Sequence, residues 1–92
     1  VYSVVREYVG HGIGREMWEP PQIPNFRTRE RGPRLQPGMT LAVEPMINAG
    51  RYEIKIDANK WTVRTLDGSL SAHYENTLAV TDGEPVILTK LD

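Results

Sequence analysis

The sequence predicts a mostly antiparallel β-sheet structure. One observation is the strict alternation of Tyr52, Ile54 and Ile56 with Glu53, Lys55 and Asp57, the pattern of a half-buried strand. Another is the pair of turn signals Asp67-Gly68 and Asp82-Gly83 between runs that fit strands. The 92 residues bound the size, since domains centre near roughly 100–150 residues, so the chain holds one domain or part of one.

Taken in order, residues 4–13 read as a strand ending in a glycine-rich bend. Val1, Val4, Val5 and Tyr8 also fit helical spacing, but β-branched content favours the extended form, and Gly10, Gly12 and Gly14 oppose a helix. Residues 20–38 read as an irregular connection. Pro20, Pro21, Pro24, Pro33 and Pro37 remove backbone donors and fix φ, with Arg27, Arg29, Arg31 and Arg34 between them. A connection of this length is usually functional or mobile. Residues 39–44 read as a strand ended by Pro45. The alternating segment 52–57, the turn 58–60, and a strand carrying Trp61, Val63 and Thr65 on one face follow. A longer strand over 70–80 and a last one over 86–89 complete an antiparallel meander. No internal repeat or low-complexity segment interrupts the pattern.

Composition excludes several classes of function. There is no cysteine, which removes disulfides, thiolate metal sites, Fe–S clusters and thiol catalysis. With 11 basic and 12 acidic residues, the chain as a whole has no field to draw DNA. No stretch approaches the roughly 18 apolar residues of a membrane-spanning helix, so no membrane partner is expected. The chain starts at Val1 within an apolar pattern, which reads as processing or as part of a longer protein.

Three polar residues sit in unusual surroundings. His11 lies in Gly10-His11-Gly12-Ile13-Gly14, where small neighbours let another group approach the imidazole. It is equally readable as a turn histidine with a satisfied ring. Glu44 ends the apolar run Leu41-Ala42-Val43, where a carboxylate needs a positive partner unless it points to solvent. Glu75 lies in the longest strand, sharing a face with His73, Thr77 and Ala79, and also fits a solvent-facing position. Together they form a hard nitrogen and oxygen donor set suited to manganese, iron, cobalt or zinc. Their separations of 33 and 31 residues are non-local, so spacing alone decides nothing. Met17, Trp18 and Trp61 are candidates to line an apolar pocket, or ordinary core and surface residues. The arginine-rich loop reads as a solvated connection or as a phosphate contact to ribosomal RNA.

These segments resemble type I methionine aminopeptidase. The resemblance is carried by Ser3-Val4-Val5-Arg6-Glu7-Tyr8 leading into Gly10-His11-Gly12-Ile13-Gly14-Arg15, by Pro37-Gly38-Met39-Thr40, and by Val43-Glu44-Pro45-Met46-Ile47-Asn48-Ala49-Gly50. Trp61-Thr62-Val63, Ser71-Ala72 and Tyr74-Glu75 continue it in order and spacing over essentially the whole chain. It implies an α+β pita-bread fold of the creatinase/aminopeptidase kind, of which residues 1–92 are the mostly antiparallel C-terminal half. It implies a two-metal site using divalent Co, Mn, Fe or Zn. His11 and Glu44 bind one metal, Glu44 also moves the proton of the attacking water, and Glu75 bridges both metals. Met17, Trp18 and Trp61 lie near the substrate pocket. The implied activity is a cytoplasmic one, removal of the initiator methionine from peptides and nascent chains.

Two positions depart from the family pattern. Trp18 stands where a second histidine, seven residues after the first, helps hold the substrate amide. Asn76 stands where a histidine usually follows the last glutamate. The family site also draws two aspartates and a further histidine from the preceding half, so the isolated 92 residues are expected to be inactive and prone to associate through an uncovered apolar face. The alternative reading is a catalytically inactive pita-bread binding module that contacts the ribosome, RNA or a protein partner.

Overall fold

The computed structural model describes residues 2–91. Ten short strands follow one another: β1 (Ser3–Val4), β2 (Gly10–Ile13), β3 (Glu19–Ile23), β4 (Thr40–Val43), β5 (Met46–Asn48), β6 (Ile54–Ile56), β7 (Val63–Thr65), β8 (Ser71–His73), β9 (Asn76–Ala79) and β10 (Val86–Ile87). No helix occurs among the described residues. Every pairing is antiparallel. The strands form a five-stranded sheet in the order β10-β9-β4-β2-β3, a three-stranded sheet β1-β5-β8, and the separate hairpin β6-β7.

The strand expected over 4–13 is two strands in different sheets. Between them Val5 donates its N–H to the Met46 carbonyl at 2.9 Å and is buried, which anchors the crossing. The strand expected over 70–80 divides in the same way into β8 and β9. Pro45 ends β4 as expected, but the chain resumes at once as β5 in the other sheet. Consecutive strands pair at β2-β3, β6-β7 and β9-β10, whereas β4 and β5 pair only with strands distant in sequence.

The proline-rich segment also needs correction. Glu19–Ile23 is a strand despite Pro20 and Pro21. It lies at the edge of the five-stranded sheet and pairs only with β2, and Pro20 and Pro21 fall in the register break between the Gly12–Glu19 and His11–Gln22 pairs, where no ladder bond is lost. Gly12 makes the approach feasible: a Cβ there would meet the backbone carbonyls of Pro20 and Glu19. Beyond Pro24 the chain is irregular up to β4, as the prolines dictate. The Arg6 guanidinium lies 5.3 Å from the Phe26 ring centre and 4.5 Å from that of Tyr52, bracing the start of this loop by cation–π contacts.

The core is small. Val5, Leu41, Ala42 and Asn48 are its buried side chains among the described residues. Asn48 Nδ2 donates to the Arg51 carbonyl at 3.0 Å, closing the chain after β5, while its Oδ1 has no partner. Large apolar side chains remain exposed, among them Trp61 at 88%, Leu70 at 84% and Tyr74 at 72%.

Candidate metal centre

Sheet register brings the three candidate ligands together. His11 on β2 is paired with Ala42 on β4, and Ala42 is paired with Thr77 on β9, so all three share one face. Glu44 lies two residues after Ala42, and Glu75 two residues before Thr77. Alternation aims both carboxylates at the face that carries His11. His11, Glu44, Glu75 and Thr77 line one open cleft of about 590 Å³, together with the segment from Ile13 to Trp18.

This cleft lies where the chain twice changes sheet. Glu44 and Pro45 carry it from β4 in the larger sheet to β5 in the smaller. Tyr74 and Glu75 carry it back from β8 to β9. The two crossings are tied by the Tyr74 N–H, which donates to the Pro45 carbonyl at 3.2 Å. Strand ends, rather than strand centres, therefore supply the carboxylates.

His11 Nε2 lies 3.2 Å from Glu44 Oε2, and both side chains are largely buried. The other ring nitrogen, Nδ1, lies 3.1 Å from the Gly12 carbonyl, which accepts only, so Nδ1 carries the proton of that hydrogen bond. In the neutral ring Nε2 then presents a lone pair toward a carboxylate oxygen. Two acceptors facing one another across 3.2 Å are stabilised by a cation between them. No lysine or arginine forms an ion pair with Glu44 or Glu75 among the described residues. Ligand atoms of Glu44, His73 and Glu75 also lie within 4.8 Å of one another. The chemistry of this donor set fits a divalent ion of the first transition series.

His73 is the member of this group that sequence reasoning did not single out as a ligand. The signal was present in its parity, since His73 and Glu75 are two residues apart on one strand face. Met17 and Trp18 line the cleft and are exposed. The Trp18 ring meets that of His11 edge-on, at 6.2 Å between centres and 62° between planes. Trp61 follows the turn between β6 and β7 and is not among the residues lining this cleft.

The profile of metallopeptidase family M24 matches residues 2–82. The chain belongs to metallopeptidase family M24. Within that family it is 59% identical over 88 residues to the methionine aminopeptidase of Clostridium acetobutylicum, covering 96% of this chain and 35% of that protein. Methionine aminopeptidase 1 of Bacillus subtilis is 53% identical over 90 residues, covering 98% of this chain and 36% of that protein. A crystal structure of methionine aminopeptidase from Thermotoga maritima superposes with a TM-score of 0.92 at 48% identity, covering 98% of this chain and 36% of the other. The M24 chain thus has the antiparallel part of the pita-bread fold, and spans about a third of the length of these relatives.

Proposed function

We propose that the complete protein carrying this chain is a type I methionine aminopeptidase that hydrolyses the initiator methionine from peptides and nascent chains in the cytoplasm, and that these residues are the C-terminal portion of its catalytic domain. The observation that carries the reading is the convergence of His11, Glu44 and Glu75 on one cleft from segments 33 and 31 residues apart. Two divalent ions, of Co, Mn, Fe or Zn, would be held by His11, Glu44 and Glu75 together with ligands outside this chain. When bound, they polarise the scissile carbonyl and make hydroxide available near neutral pH.

The chain's own residues then have distinct tasks. The Gly12 carbonyl fixes the His11 ring so that Nε2 faces the cleft. Glu44, held by the rigid Glu44-Pro45 crossing, takes the proton of the attacking water and passes it to the departing amine. Glu75 would supply a further anionic ligand to the centre from just before the start of β9. Met17 and Trp18 present apolar surface at the cleft for the substrate side chain, and Trp61 contributes to the same pocket in the complete protein.

Release of methionine from a Met-Ala-Ser peptide by the complete protein tests this reading. Glu75→Gln should lower kcat at least about a thousandfold, since the variant loses an anionic ligand from the reacting centre. Full activity in that variant would overturn the assignment.

A second reading is supported by the loop after Pro24. Arg27, Arg29, Arg31 and Arg34 are all exposed, and none is ion-paired among the described residues. Such guanidinium groups suit phosphate contacts on ribosomal RNA. Co-sedimentation with ribosomes that weakens with salt, and is lost on replacing these arginines by serine, would support a ribosome-docked enzyme or an inactive binding module. Metal content separates the two.

A further inference from the structure

The site's second imidazole is unassigned by the reading above. His73 closes β8, opposite Met46 in the register with β5, and its backbone is held in place by the adjoining hydrogen bond from Tyr74 to the Pro45 carbonyl. This sets its ring beside the Glu44 carboxylate. His73 Nε2 lies 3.9 Å from Glu44 Oε1, on the opposite oxygen from the one that faces His11. Glu44 therefore stands between two imidazoles, one at each oxygen.

The distance decides what this contact is. At 3.9 Å it is too long for a hydrogen bond. It falls between the separations of two atoms bound to one ion, since bonds of about 2.0–2.2 Å place neighbouring ligand atoms roughly 3–3.5 Å apart and opposite ones about 4.2 Å apart. The third donor is in reach as well, because Glu75 has a carboxylate oxygen within 4.8 Å of both. His73 is 42% exposed at the side chain, so the ring has room to close the remaining gap without displacing the core.

We propose that His73 is an additional protein ligand of this centre, giving the chain an imidazole on each side of Glu44. This rests on the metal-centre reading above. It adds a nitrogen donor where the sequence pattern assigns only oxygen donors, and makes the Glu44–Glu75 side more selective for imidazole-preferring ions such as Co²⁺ and Zn²⁺ over Mn²⁺.

The test is Co²⁺ titration of the complete metal-free protein, followed by visible absorption and by the equilibrium dissociation constant. His73→Gln and His73→Asn are compared with wild type, each checked for native circular dichroism. Loss of a nitrogen donor should shift the cobalt d–d bands and weaken binding by at least about tenfold, the scale of losses seen even for residues that only support ligands. Glu75→Gln serves as the control for the centre itself. If wild type binds no Co²⁺, both the centre and the role of His73 are overturned. If wild type binds and Glu75→Gln binds less, yet the His73 variants keep the wild-type spectrum and affinity, the centre stands and His73 is not a ligand. A single folded His73 variant suffices for either outcome. Should neither fold, carbethoxylation of His73 in the wild-type protein, read by peptide mass spectrometry with and without Co²⁺, decides it: protection of His73 by the ion supports ligation, and equal modification overturns it.

Discussion

His11 Nε2 and Glu44 Oε2 face one another at 3.2 Å across adjacent strand segments, with the other imidazole nitrogen committed to the Gly12 carbonyl. The pair is built by sheet register. His11 is opposite Ala42, and Glu44 lies one side-chain repeat farther along β4's direction. Anything that displaces β2 from its neighbours therefore displaces the site.

Gly12 is the most direct place to show this. A Cβ at position 12 would meet the backbone carbonyls of Glu19 and Pro20, which have no side-chain freedom with which to yield. Gly12→Ala should cost about 1–3 kcal/mol of stability by overpacking. It should also lower methionine release beyond what the lost folded fraction explains, because the adjoining His11 moves. Denaturant unfolding and kinetics on one preparation check both.

The fold was legible in the sequence wherever the local signal agreed with the tertiary one. The alternation over Ile54–Ile56 and the turn over 58–60 read correctly because both strands of that hairpin are near in sequence, whereas Asp67-Gly68 turns the chain without making a hairpin, since β8 pairs with β5 and not with β7. β3 was not legible, since Pro20 and Pro21 argue against a strand, and only its edge position and the register break at the two prolines permit one. The breaks at Val5–Val9 and Tyr74–Glu75 were hidden because a strand that changes sheet keeps its apolar pattern. For the site, residue types marked His11, Glu44 and Glu75, but only long-range register brings them together.

Asn48 is buried and ties β5 to Arg51 through Nδ2. Asn48→Ala should lower stability by about 1–3 kcal/mol, because the Arg51 carbonyl loses its donor and the buried side chain leaves a void. Thermal unfolding of the complete protein measures it.

Asp67 gives the turn near Arg51 an acid-sensitive element. Its carboxylate accepts from the Arg51 N–H at 2.8 Å and the Ser69 N–H at 3.0 Å, which lower its pKa from 3.8 to about 2. The folded pKa lies below the unfolded one, so the contribution is present above about pH 4 and is lost as pH falls through about 2. Asp67→Asn should flatten the fall in unfolding midpoint over that window. An unchanged slope would show that these hydrogen bonds do not favour the charged form.

Trp18 stands beside His11, at the position where the type I resemblance implies a second histidine, and it is 70% exposed. Trp18→His should raise kcat/KM for methionyl peptides about tenfold or more, as a donor to the substrate amide returns to the cleft; donors of this kind are worth roughly 10²–10³ in rate. No gain would mean that Trp18 already positions the substrate by apolar contact.

The central claim is that His11, Glu44 and Glu75 hold catalytic divalent ions. Metal content of the complete protein, measured by mass spectrometry after equilibration with Co²⁺ and removal of excess, tests it most directly. Wild type should retain close to two ions per chain, and Glu75→Gln at most one, with methionine release falling in step. Equal metal content in the two proteins would contradict the account.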